Sequence, residues 1–258
     1  MAGFTAPTRL ALSDSIAEVV NKTVRAVSKA VGIWAGEIGP HNAGSPPCSH
    51  ASMRWAVFGD SFWYADALAA KARHGYASFC RQDYIGADYG MVDCSTGTPL
   101  PDFFTALVWT HVMGPTVLGV TLADDKGETI GTSAVVRAAV HCVAKHESSS
   151  TPNGGIALMM INLSNRSTTV HLEEGLGGIE RVYVLEPSPD AASSLTGVGG
   201  IMGTGILLNG NLLTAADDGT VARPTAAPGS GGSSAPLPAY SIAFFVLPHA
   251  FHPDCPWA

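Results

Sequence analysis

Charge is scarce in this 258-residue chain: Asp, Glu, Lys and Arg make up 14% of it, against about 25% in an ordinary soluble domain. Lys and Arg number only 14 against 21 Asp and Glu, for a formal charge of -7, and no basic run occurs. Nucleic acid is therefore not an expected partner. Long hydrophobic runs are missing too. The longest, around Gly155 to Leu163 and Ile242 to Leu247, are strand-sized and far short of the ~20 residues of a membrane span. Five cysteines in a chain of this size do not make a disulfide scaffold, and with no CxxC pair among them a structural zinc site is not expected. The nine histidines stand singly or as His141/His146 and His249/His252, without the HExxH spacing that puts two ligands on one helical face. No metal or cofactor is expected. The opening MAGFTAPTRLALSDS has no apolar h-region, so the reading is an intracellular chain or one whose true beginning lies upstream.

What the chain does have is apolar material, 46% of its residues, enough for a sizeable core and too much for a disordered chain. Ile16, Val19, Val20, Val24 and Val27 recur at helical spacing from Ser15 to Val31, with Ser15 and Glu18 as a capping box. Gly32 then stops the helix, and Ile33 to Glu37 reads as a short buried strand. Residues 51 to 72 again look helical, with Trp55, Phe58, Phe62, Ala65, Leu68 and Ala69 on one side. A second buried strand, Tyr76 to Gln82, precedes a third helix, Asp102 to Met113, closed by Gly114. Helix, strand, helix, strand, helix predicts parallel βα units.

Beyond Pro115 the texture changes to short apolar runs between turn residues: 116 to 122, 134 to 143, 155 to 163, 168 to 172, 180 to 185, 206 to 213 and 240 to 247. Such spacing predicts an antiparallel sandwich, with the Pro/Gly/Ser-rich stretch Thr225 to Pro238 as a loop. The fold class is thus α/β plus all-β. Residues 1–115 form one domain and 116–258 the other. A complete (β/α)8 barrel takes about 250 residues, so the first domain holds only two βα units of an incomplete barrel. Three N-x-S/T sequons, at Asn21, Asn162 and Asn165, suit a secreted protein.

Glu37 falls at the carboxyl end of a predicted parallel strand, where α/β enzymes place catalytic groups. Arg81 and Gln82 end the next strand and approach the same face. An isolated glutamate there is equally compatible with a loop salt bridge.

The blocks WAGEIGPHNAGSP from Trp34, FWYADALAA from Phe62, CRQDYIGADYGMVD from Cys80 and PDFFTALVWTHVMG from Pro101 carry more. With INLSN at Ile161, LLNG at Leu207 and LPAYSIAFFVLP at Leu237, they resemble glycoside hydrolase family 79, the heparanase and β-glucuronidase family. The likeness is nearer to its plant-type members and covers nearly the whole chain from about Ser15.

This resemblance implies a retaining β-glycosidase whose nucleophile and acid/base stand ~5 to 5.5 Å apart, with Glu37 matching the nucleophile. The family's acid/base follows an asparagine on the fourth barrel strand, and this chain contains no Asn-Glu dipeptide. That half of the site is absent, and Asp83 is a poor substitute on the adjacent final strand. Tyr89 matches the tyrosine that holds the sugar carboxylate, together with backbone N–H groups of its loop around Ala87 and Asp88, while Gln82 lines the subsite floor. Gly86 and Ala87 replace a glycine pair, and Pro40, His41 and Asn42 replace a Gly-rich loop, so linkage preference stays open. His41 is expected to be solvated rather than to touch substrate.

The family also implies a disulfide between Cys142 and Cys255. Cys48 and Cys94 fall in the two loops above Glu37 and Gln82, which leaves a second pairing open, and Cys80, inside an expected buried strand, reads as a small core residue. The full-length form would be extracellular, cell-wall-associated or lysosome- or vacuole-like. Its substrate would be a glucuronic-acid-containing glycan or glycoside. A densely sulfated one is not expected, because the basic residues are dispersed.

Two other readings compete. AVFGDSF imitates the GDS motif of esterases with Ser61 as nucleophile, but helical periodicity runs through Ser61, and His252, Pro253 and Asp254 are in the wrong order. The second is a non-catalytic carbohydrate-binding fragment, favoured by the absent acid/base. A truncated gene model, lacking the N-terminal half of the same protein, explains that absence equally well.

Overall fold

The computed structural model describes residues 5–40, 55–131, 134–148 and 155–255. His41, Asn42 and Cys48 lie outside these. The described chain divides into two compact units. One contains residues up to 105 with 187–206 and 214–221, and the other contains 106–186, 207–213 and the remainder from 222.

In the first unit, α1 (Pro7–Val27) leads into β1 (Ile33–Ile38), α2 (Phe58–Arg73), β2 (Tyr76–Arg81) and α3 (Pro101–Val112), whose C-terminal half belongs to the second unit. The two strands pair in parallel, as the alternating pattern predicts. Helix α1 begins eight residues before the expected capping box, at Pro7 in the first turn, where a missing N–H costs nothing. Ser15 is mid-helix and donates its hydroxyl to the Leu12 carbonyl. The side of α1 that packs carries Leu10 and Ala17, so the apolar stripe read as a core face is the exposed one: Ile16, Val19, Val20 and Val27 are all open to solvent. Helix α2 is buried around most of its circumference, its polar residues Asp60, Ser61, Asp66 and Lys71 included.

The β1/β2 pair is not buried on both faces as expected. Trp34 is 70% exposed, Ala77 and Cys80 are exposed, and Cys80 is a free surface thiol rather than a core residue. The reason is topological. A two-stranded parallel sheet has two faces and two outer edges to cover, and among the described residues neither strand has a second partner.

The second unit contains a large antiparallel sheet. Its order is β3 (Met113–Leu118), β4 (Val136–Val143), β5 (Ile156–Asn162), β12 (Ser241–Leu247), β7 (Arg181–Pro187), β8 (Ile206–Leu208) and β9 (Asn211–Leu212), with β10 (Ala227–Pro228) on β7. A ribbon of β6 (Thr168–His171) and β11 (Ser234–Leu237) stands apart from it. Val170, Ala235 and Leu237 of the ribbon share one apolar core with Leu158, Met160, Ala243 and Phe245 of the sheet. Strands β5 and β12 pair along their whole length, Leu158 opposite Phe245, and every residue in both is buried. Such strands read as unbroken apolar runs, which is why they were the clearest in the sequence.

Several boundaries differ from expectation. The run 206–213 is a hairpin, turned by Asn209 and Gly210 at φ 50° and 79°. Asn and Gly are the residues that accept this left-handed geometry in a two-residue turn. The expected loop 225–238 supplies β10 and β11, because prolines are tolerated at sheet edges. Gly114 does not follow a helix end but lies inside β3, where an added Cβ would meet the Cys142 carbonyl oxygen at 2.5 Å.

Cys142 and Cys255 form a disulfide, Cα atoms 5.3 Å apart, across a separation of 113 residues. It fastens the chain end to β4 at the edge of the apolar core. A link over so long a loop removes much freedom from the unfolded chain, so Cys255→Ser is expected to cost about 2–4 kcal/mol. Urea denaturation with and without reductant measures this, and an unchanged midpoint would contradict it. Cys94 is also disulfide-bonded.

Candidate active site

Alternation along β1 would place Glu37 beside Ile33 and Ala35, facing inward. The register prevents this: Ala35 pairs with Phe79 but Ile38 with Arg81, so β1 carries one extra residue against β2. Such a bulge re-aims a side chain. Glu37 accordingly stands exposed one residue before the end of β1, at the carboxyl end of the parallel pair.

The chain leaving β2 meets the same end. Gln82 donates its N–H to the Ile38 carbonyl at 2.9 Å, and the Gln82–Asp83 peptide is cis. Gly39, two residues past Glu37, packs so closely that a Cβ there would stand 3.2 Å from the Gln82 carbonyl and 3.4 Å from the Tyr89 ring. A side chain at residue 39 would press on Gln82 and Tyr89, so the glycine lets both pack against the chain just past Glu37. Burial, then the Asp83 carboxylate, pushes the Tyr89 phenol above its ordinary value, with Asp88 and Glu37 adding smaller pushes. The phenol stays protonated at neutral pH and can donate.

The loop that presents Tyr89 is braced from within. Asp83 Oδ2 accepts from the Ala87 N–H at 3.0 Å, Gly90 donates to the Ala87 carbonyl, and Met91 donates to that of Asp83. Asp88 is buried, and its carbonyl accepts from the Ala56 N–H at 3.0 Å. The Ala87 N–H is thus committed to Asp83, and a ligand carboxylate would have to displace that bond.

Behind Tyr89 lies a constellation that the sequence reading missed. The Arg81 side chain, 4% exposed, reaches Asp102 Oδ2 at 2.8 Å and Asp60 Oδ2 at 3.3 Å. It also donates to the Tyr89 carbonyl at 2.9 Å and to that of Gln82. Its guanidinium stands over the rings of Trp63, Tyr64 and Tyr89 at 5.3 to 5.6 Å. One buried cation thus carries two carboxylates, two loop carbonyls and three aromatic faces. Burial, and then the charge of Asp102, pushes the Asp60 carboxyl well above the usual carboxylate range despite Arg81.

Ser61 lies within α2, fully buried, and donates to Asp102 Oδ1 at 2.8 Å. An esterase nucleophile must be exposed at a strand end, so the GDS reading is excluded. Among the described residues no group of His, Cys, Asp and Glu could hold a metal ion, and no helix is long and apolar enough to cross a membrane.

The second unit has its own buried polar cluster. Glu147 takes His111 Nε2 at 3.0 Å, Arg181 Nε at 2.9 Å and the Tyr183 hydroxyl. Its members join α3, the short helix α4 (Lys145–Ser148) and β7.

The fold is that of glycoside hydrolases built on mixed helices and sheets. A 4-O-α-L-rhamnosyl-β-D-glucuronidase from Fusarium oxysporum superposes with a TM-score of 0.60 over 95% of this chain and 50% of that one, at 16% identity. An α-L-arabinofuranosidase from Thermotoga petrophila gives 0.55 over 93% and 48%, at 12% identity. At such identities the likeness concerns fold alone.

Sequence narrows the class. The chain is 36% identical to heparanase-like protein 1 of Arabidopsis thaliana over 61% of its length and 25% of that protein's. It is 29% identical to baicalin-β-D-glucuronidase of Scutellaria baicalensis over 91% of its length and 39% of that protein's, and 29% identical to heparanase of Mus musculus over 89% and 39%. No family model matches it. The chain is homologous to the heparanases and β-glucuronidases of glycoside hydrolase family 79, and it spans a quarter to two-fifths of the length of these relatives.

Proposed function

We propose that this chain is the C-terminal portion of a retaining glycoside hydrolase acting on glucuronides, with Glu37 as its nucleophile. The observation that carries the reading is the bulge that leaves Glu37 exposed near the carboxyl end of β1, two residues before Gly39, against which Gln82 and Tyr89 pack. In this reading the Tyr89 hydroxyl and the loop backbone hold the sugar carboxylate. Glu37 attacks the anomeric carbon, and an acid/base from barrel strands outside this chain protonates the departing oxygen. Asp83 is not that acid, since it braces its own loop through Ala87.

Residues 1–115 are then the last two βα units of a (β/α)8 barrel, and 116–258 a β-sandwich. The open edges of β1 and β2, exposed Trp34 and the exposed stripe of α1 support this, because further βα units would cover all three. A glucuronidase name among the sequence relatives and another among the structural neighbours support the substrate class. The disulfides support an extracellular, cell-wall or vacuolar setting.

The test is a longer protein carrying this segment. It should cleave an aryl β-glucuronide with retained anomeric configuration, seen by NMR of the first product, and should pass a heparin column at physiological salt. The 258-residue chain alone should do neither chemistry nor stay soluble. An inverted product, or turnover by the chain alone, would overturn the proposal.

A further inference from the structure

The three sequons are not equivalent once folded, and we infer that Asn165 is the one N-glycosylation site of this chain. Asn162 is fully buried. Its Nδ2 donates to the carbonyls of Arg166 and Pro238, both at 2.8 Å, and its Oδ1 accepts from the Ser164 N–H and hydroxyl. Both amide hydrogens are used, and a glycan has no path outward. This asparagine is a structural pin between the β5–β6 turn and the start of β12.

Asn21 is half-buried in the middle of α1. Its sequon partner Thr23 donates its hydroxyl to the Val19 carbonyl at 2.8 Å, so both residues are held in regular helix. Acceptor asparagines belong to surface loops.

Asn165 is the opposite case. It is exposed in the bend between β5 and β6, as is Ser167, and neither side chain makes a hydrogen bond among the described residues. The bend is fixed from below by Asn162 and Ser164, leaving Asn165 projecting from a rigid turn. The ligand is an oligosaccharide delivered on a lipid pyrophosphate. A bond forms between Asn165 Nδ2 and the anomeric carbon, the bond from that carbon to the pyrophosphate oxygen breaks, one amide proton is lost, and the lipid pyrophosphate leaves. The oxidised pair Cys142–Cys255 fits passage through the compartment where this transfer takes place.

The full chain is expressed behind a secretion leader in a eukaryotic host, and the endoplasmic-reticulum fraction is collected so that retention does not hide the result. Enzymatic glycan release in heavy-oxygen water marks each formerly glycosylated asparagine as a labelled aspartate. The expected result is label at Asn165 only, with Ser167→Ala abolishing the glycan and Thr23→Val leaving it unchanged. Label at Asn21 or Asn162, or an unlabelled Asn165 in translocated chain, would overturn the inference. Ser167 is exposed and makes no hydrogen bond among the described residues, so its loss is not expected to disturb folding.

Discussion

Glu37→Gln, placed in a longer protein that carries the remaining barrel strands, is expected to lower turnover of an aryl β-glucuronide by about four to six orders of magnitude. Gln keeps the size of the side chain but removes the anion that forms the covalent bond, which splits one hard displacement into two easier ones. Glu37 is exposed, so its replacement should leave the melting temperature unchanged. The loss should fall on kcat, since neither the Tyr89 hydroxyl nor the loop backbone is touched. Single-turnover kinetics with wild type and variant, alongside thermal melts, make the check. Normal turnover by Glu37→Gln would remove the nucleophile from this position.

The largest expected effect on stability belongs to Arg81→Met. Its side chain is buried with Asp60 and Asp102, and removing the cation leaves two carboxylates in a place that water does not reach. Breaking a buried pair from one side costs roughly 3–5 kcal/mol. Urea denaturation followed by tryptophan fluorescence, with Trp63 over the guanidinium as local probe, should show the loss. A second substitution, Asp60→Asn, should recover part of it by removing one stranded charge.

The sign with pH is opposite to that of an ordinary ion-paired carboxylate. Because the Asp60 carboxyl is raised in the fold, its proton contributes stability that is fully present below the unfolded value near 3.9 and is lost as pH rises through the folded one. Asp60→Asn by itself should therefore gain most over wild type at neutral pH and little near pH 4. A midpoint that drops in Asp60→Asn at neutral pH would contradict this.

Much of this was legible from residues alone, and the failures share a cause. Strands β5 and β12 announce themselves because both their faces are buried. The Cys142–Cys255 bond followed from the family resemblance and is present. Cys80 and the stripe of α1 were misread because apolar character was equated with burial. In these residues it reflects surface that nothing among the described residues covers. The bulge at Glu37 leaves no mark in composition or period, since Gly36 and Glu37 fit a regular strand equally well. The Arg81 constellation was hidden because Asp60 and Asp102 lie 21 positions on either side of Arg81, and each taken singly looks like an ordinary helix-end acid. Asp60 and Asp102 in the quoted blocks were the available signal: acidic residues amid aromatics in a chain so poor in charge are there to be paired.

The central claim is that Glu37 bonds to the sugar. The direct measurement is mass spectrometry of the longer protein after incubation with a 2-fluoro glucuronyl fluoride, whose slow deglycosylation lets a glycosyl-enzyme accumulate. A fluoroglucuronyl adduct on the peptide bearing Glu37, absent from Glu37→Gln, is the predicted result. An adduct on a different carboxylate, or turnover of the probe with inversion and no adduct, would contradict it.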